Sequence, residues 1–254
     1  RHSMADTTKR NIPLSLPCVG EEEEQAVLEV MKSGWLTHGP KNREFEEAFA
    51  DYLGVDHAIS MNSCASALHA AIQCQDIKGE VIVPSYTWVA SINAIITSGA
   101  IPVLADVEPD TCNISPSAIE ALITPQTEGI MPVHYAGQSA DMKSIMKIAD
   151  KHKLAVIEDA AEDIGGQHDG KMAGSFGAGC FSFFPTKNMT TGEGGMLSTN
   201  DAELARKARC LIGHGIDKST YDRESEQRPW FRGAAMVGYN FRLTNFQAAM
   251  GLVQ

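Results

Sequence analysis

FSFFPTKNMTTGEGGMLST, residues 181–199, sets a lysine in a small, polar, glycine-rich turn straight after an apolar run. Lys187 is not on a solvated helix face, and the turn after it closes in Gly192-Glu193-Gly194-Gly195. Glycines at such a turn let backbone approach closely. A lysine desolvated there is a nucleophile toward carbonyls. The pattern is not the phosphate-binding GxxxxGK[ST] loop. Either Lys187 decorates an exposed loop or it is aimed inward, and the chain around it decides.

Short apolar runs recur on both sides of this segment: HAISM, EVIVPS, IPVLADV, GIMPVHY, LAVIEDA, GCFSFF and GGMLST. They read as seven buried strands. Between several of them lie helical stretches, ASALHAAIQ, WVASINAIITSG, PSAIEALI and DMKSIMKIADKHK. Strands alternating with helices, the strands apolar and bounded by turn residues, predict a largely parallel sheet covered on both faces. Upstream, EEEEQAVLEVMKSGW carries four glutamates in a first turn, which suits a helix dipole. A second helix is expected over 43–53, stopped by Gly54.

Ligands of such sheets bind beyond the carboxyl ends of the strands, so the loops there hold the candidates. NSCAS (62–66) precedes a helix; its amides either bind an anion or are simply capped. Trp88 in PSYTWVAS is either core or a flat ring for stacking on a heterocycle. Asp159 ends the run VIED and needs a cleft or a cation, unless it is a helix cap or a structural salt bridge. Ser182 lies five residues before Lys187. A carboxylate, a lysine, an anion cradle and a stacking aromatic are the parts that pyridoxal phosphate needs.

The 254 residues suffice for one large α/β domain or two small ones. A 43% hydrophobic and 21% charged composition is that of a globular protein. A net charge of −11 argues against a nucleic-acid partner. No apolar stretch approaches the roughly 20 residues that span a bilayer. The six cysteines lack CxxC spacing, so no metal site is expected and reduced, cytoplasmic thiols are. The start, RHSMADTTKR, has no apolar region of a signal peptide, and residues 1–11 read as a tag remnant and N-terminal arm.

The segments SGWLTHGPKNREFEEAFADYLG, PSYTWVASINAI, PVHYAGQSADM, VIEDAAEDIGG, FSFFPTKNMTTGEGGML and GYNFRLTNFQAAMGLVQ closely resemble the DegT/DnrJ/EryC1/StrS family of pyridoxal-phosphate sugar aminotransferases. The resemblance implies fold type I (aspartate-aminotransferase-like), with residues 12–254 forming the large cofactor-binding domain and the family's small C-terminal domain absent from this sequence. It implies Lys187 as the Schiff-base lysine, Asp159 as partner of the pyridine nitrogen and Trp88 as the stacking ring. Amides near Ala65 and Ser66, with the Ser182 hydroxyl, match the phosphate cradle. Asn240 matches an asparagine reaching the phosphate from a partner subunit, which implies a homodimer with shared sites.

The implied reaction is transamination of a nucleotide-linked ketosugar, with glutamate as amino donor. Family members with histidine in place of the lysine dehydrate sugars, and Lys187 argues against that chemistry. Glu162 stands where the family most often has Gln or His beside the cofactor's phenolic oxygen. Glutamate there is reminiscent of the perosamine-synthase branch, which aminates a GDP-linked 4-keto-6-deoxymannose. Beside an anionic oxygen, Glu162 is expected to hold a proton near neutral pH or force one onto that oxygen. A second class remains: a non-catalytic or regulatory homologue, or a fragment, of the same fold.

Overall fold

The computed structural model describes residues 12–13, 15–217 and 233–254; the stretch read as a tag remnant and arm, 1–11, lies outside the described residues. Seven strands form one sheet: β1 (His57–Met61), β2 (Glu80–Pro84), β3 (Ile101–Ala105), β4 (Thr127–Ile130), β5 (Ala155–Asp159), β8 (Ala178–Ser182) and β9 (Gly195–Thr199). Their spatial order is β1-β9-β8-β5-β4-β2-β3. Neighbours from β3 through to β8 are parallel, while β9 runs antiparallel to both β8 and β1. Two further strands, β6 (Gln167–His168) and β7 (Lys171–Met172), make a small separate hairpin.

Among the described residues the α-helices are α1 (Glu21–Ser33), α2 (Pro40–Leu53), α3 (Cys64–Cys74), α4 (Val89–Thr97), α5 (Pro116–Leu122), α6 (Met142–His152), α7 (Ala202–Ile212) and α8 (Asn245–Val253). Their starts follow elementary capping. Asp141 accepts the Ser144 amide, Asp201 accepts those of Glu203 and Leu204, and Thr244 forms a box with Gln247. Pro40 at the first helical position starts α2 three residues earlier than expected. Gly34 and Gly54 end α1 and α2 in the left-handed conformation.

Strand alternation divides the core between the two faces. Ile59, Met61, Val81, Val83, Ile157 and Leu197 pack with α3, α4 and α7. Ala58, Phe181, Phe183 and Met196 pack with α2 and α8, and Ile82, Ile130 and Val156 with α5 and α6. The second group is held by aromatic edges: Phe49 lies 5.0 Å from Phe181, and Phe45 lies 5.3 Å from Phe183.

Two of the expected strands need correction. The run IPVLADV is not a buried strand: β3 is the sheet's edge, with Ile101 and Leu104 more than half exposed. The run GIMPVHY stops pairing regularly at Ile130, because Pro132 has no amide to donate. The chain is instead carried past Asp159, whose amide reaches the Pro132 carbonyl while the His134 amide reaches the Asp159 carbonyl.

Candidate active site

One end of the sheet gathers the candidate residues. Strands β1, β2, β5 and β8 finish there at Met61, Pro84, Asp159 and Ser182, and β9 begins there because it runs the other way. In register, Gly195 stands opposite both Met61 and Ser182. A Cβ on Gly195 would lie 2.3 Å from the Ser63 carbonyl carbon and 2.5 Å from the Cys64 nitrogen. Only glycine lets β9 run this close under the start of α3. Ser182 and the α3 N-terminus are thereby brought side by side.

Asp159 is 5% exposed and faces α3 and α4. Among the described residues it is satisfied by hydrogen bonds. Its Oδ2 accepts from the Ser91 hydroxyl at 2.7 Å, and its Oδ1 accepts from the Ala161 amide at 3.2 Å. The buried Cys64 thiol lies 4.0 Å from Oδ1. Burial pushes the Asp159 carboxyl above its ordinary value, although Ser91, the Ala161 amide, His134 and Lys187 all pull the other way.

Lys187 is half-buried, and its Nζ donates to Glu162 Oε1 at 3.1 Å. It is therefore aimed at a carboxylate within the site, which answers the question the sequence posed. Glu162 Oε2 accepts the Ala136 amide at 2.9 Å. Burial raises the Glu162 carboxyl, but the Ala136 amide and Lys187 together outweigh it, so the net shift is downward. Glu162 is thus paired with a base, Lys187, and with a backbone amide. Ala136 itself sits at φ 54°, a left-handed conformation that costs a non-glycine residue about 1–2 kcal/mol.

Ser63 caps α3 by accepting the Ser66 amide at 3.1 Å, and Ser66 Oγ donates to Asn62 Oδ1 at 2.7 Å. Of the expected amide pair, Ser66 is thus occupied by its own helix cap, while Ala65 is exposed. Ser182 accepts the Phe184 amide at 3.3 Å and keeps its own proton to donate. Trp88 is not core: it precedes α4 and is 78% exposed. Asn240 is exposed, and its backbone forms a β-bridge with Gly213.

Two buried groups escaped the sequence reading. Glu158, on the opposite face of β5 from Asp159, accepts from the amides of Gly174 (2.9 Å), Phe176 (2.8 Å) and Gly177 (2.8 Å). His134 Nδ1 accepts the Ala140 amide, so the ring proton resides on Nε2, which donates to Glu158 at 3.1 Å. This wholly buried pair clamps two loops behind the site. Ser91 also escaped notice, because nothing in ASINAI marks it. The residues fit pyridoxal phosphate on chemistry: a buried carboxylate, a lysine across from it, and a hydroxyl beside a helix N-terminus packed on a glycine.

A model of the DegT/DnrJ/EryC1/StrS aminotransferase family matches residues 17–254. The chain is 48% identical over 247 residues to a GDP-perosamine synthase of Caulobacter vibrioides, covering 96% of this chain and 64% of that protein. Among solved structures it is similar to Helicobacter pylori PseC, described as an aminotransferase involved in the biosynthesis of pseudoaminic acid. That match has a TM-score of 0.89 and 36% identity, over 96% of this chain and 65% of PseC. Another is Bacillus subtilis ntda with bound cofactor PMP, at a TM-score of 0.81 and 33% identity, over 92% of this chain and 53% of that one. The chain spans about two thirds of the curated relatives, 64% of each.

Proposed function

The chain belongs to the DegT/DnrJ/EryC1/StrS aminotransferase family, and from that premise we propose that it serves a pyridoxal-phosphate-dependent aminotransferase acting on a nucleotide-linked ketosugar. Glutamate is the proposed amino donor: its amino group replaces the sugar's carbonyl oxygen, and 2-oxoglutarate leaves. The observation that carries this reading is the convergence of Lys187, Glu162 and buried Asp159 at the carboxyl ends of the strands. A GDP-linked 4-keto-6-deoxy sugar is the proposed substrate, supported by Glu162 and by the similarity to a GDP-perosamine synthase.

When bound, pyridoxal phosphate supplies a carbonyl for the amine and a ring that withdraws electrons from the carbon losing its proton. Asp159 would hold the proton on the ring nitrogen. The Ser182 hydroxyl and the start of α3 would hold the phosphate. Trp88, exposed on its loop, would cover one face of the ring. Lys187 would carry the proton from the donor's α-carbon, and Glu162 keeps its Nζ pointed into the cleft between steps. Exposed Asn240 would reach a second copy's phosphate site, so the proposed unit is a homodimer.

The test is to offer the protein a panel of nucleotide-ketosugars with glutamate and to follow 2-oxoglutarate. Turnover with a GDP-linked 4-keto-6-deoxy sugar is expected. A protein that binds no cofactor and forms no 2-oxoglutarate with any of them is a non-catalytic homologue.

A further inference from the structure

Ser91 is fully buried in the first turn of α4, yet its hydroxyl bonds to a residue 68 positions away. A serine there could bond back to its own helix. Instead its Oγ lies 2.7 Å from Asp159 Oδ2 and 2.7 Å from Thr87 Oγ1. An ionised carboxylate only accepts, so the single Ser91 proton is committed to Asp159. Thr87 must therefore donate to Ser91, and the chain of protons runs one way, Thr87 to Ser91 to Asp159.

We infer that Thr87 and Ser91 are positioning residues that hold Asp159 in its ionised form and fix its orientation; the inference rests on the functional reading above. Thr87 directly precedes Trp88, so the same relay ties the loop carrying the exposed ring to the carboxylate behind it. The other titratable groups around Asp159 are already engaged or uncharged. Cys64 and Cys180 are buried thiols whose own values burial drives up. His134 is turned toward Glu158, and Lys187 toward Glu162. Ser91 thus stands first among the groups that oppose the effect of burial on Asp159.

The consequence is specific. Without the Ser91 donor, the carboxylate becomes more basic and takes more of the proton it would share with a ring nitrogen. A ring without that proton withdraws fewer electrons, so the rest of the conjugated system becomes more basic too.

The test loads the wild-type protein, Ser91→Ala, Ser91→Thr and Thr87→Val with pyridoxal phosphate carrying 15N in the ring. The wild-type resonance should report a protonated ring nitrogen. In Ser91→Ala it should move toward the unprotonated position. The pH midpoint at which the cofactor's absorption bands interconvert should rise by about one unit, a tenfold change. Ser91→Thr should restore both, and Thr87→Val should move both in the same direction by less. Wild-type resonance and midpoint in Ser91→Ala would overturn the relay. Should Ser91→Ala fail to fold, the same unchanged values in Thr87→Val would overturn it. An unprotonated ring nitrogen in the wild type, or no bound cofactor, would remove the functional reading and the relay with it.

Discussion

Lys187 Nζ and Glu162 Oε1 lie 3.1 Å apart, and the second oxygen of Glu162 holds the strained turn at Ala136. One carboxylate therefore fixes both the Lys187 amine and the loop at Ala136. The Glu162 carboxyl sits below its ordinary 4.5, because the Ala136 amide and Lys187 overcome the opposing effect of burial. A lowered carboxyl contributes stability above its unfolded value and loses it as pH falls through the folded value. Glu162→Gln should thus lower the melting temperature of the cofactor-free protein near neutrality and converge with the wild type in acid. The side chain is 42% exposed, so the loss should be no more than about 1 kcal/mol. An equal gap at both pH values would contradict the pairing.

Asp159 shows the opposite sign. Burial holds its carboxyl above 3.8, so the stability it contributes is present below the unfolded value and is lost as pH rises through the folded one. Asp159→Asn should leave the cofactor-free protein at least as stable as the wild type near neutrality. Turnover should nevertheless fall by about 10²–10³ or more, as when a preorganised electrostatic partner is removed. Melting curves and initial rates measured on the same preparation separate the two effects. Near-normal turnover would make Asp159 a structural cap.

Gly195→Ala places a Cβ against the backbone of Ser63 and Cys64. Backbone cannot swing aside as a side chain can, so β9 and α3 must separate. A cost of about 1–3 kcal/mol or more is expected, together with weaker cofactor binding, since Ser182 and the α3 N-terminus move apart. Calorimetry and a cofactor titration would check this. Unchanged affinity for the cofactor would show that its phosphate lies elsewhere.

Glu158→Gln tests the clamp behind the site. Four donors converge on the carboxylate, and an amide nitrogen in its place would confront at least one of them. A loss of roughly 2–5 kcal/mol is expected in denaturant unfolding. A loss below about 1 kcal/mol would mean that the loops are held by other contacts.

The seven strands were legible because each is a short apolar run bounded by turn residues, and loop chemistry pointed to the end of the sheet where Met61, Pro84, Asp159 and Ser182 finish. The reversed direction of β9 was not legible, since GGMLST looks the same whichever way it runs. Helix α7 was legible in principle: Leu204, Ala205, Ala208 and Leu211 recur at helical spacing behind the Asp201 cap. The β6–β7 hairpin, two residues to a strand, carries too little pattern to read. Lys187 and Asp159 stood out because a charge beside an apolar run needs a reason. Ser91 and Glu158 owe their roles to partners distant in sequence, and local pattern carries no trace of those contacts.

The central claim is that Lys187 is the residue that takes the cofactor. Borohydride reduction of the cofactor-loaded protein converts a lysine-bound cofactor into a stable pyridoxyl adduct, and peptide mapping locates it. Lys207 is tied to Asp76 and the Cys74 carbonyl, and Lys171 lies over the Phe176 ring, so neither faces the cleft. The account predicts the pyridoxyl mass on the peptide carrying Lys187 and its absence from Lys187→Ala. The mass on Lys171 or Lys207, or on no lysine at all, would contradict it.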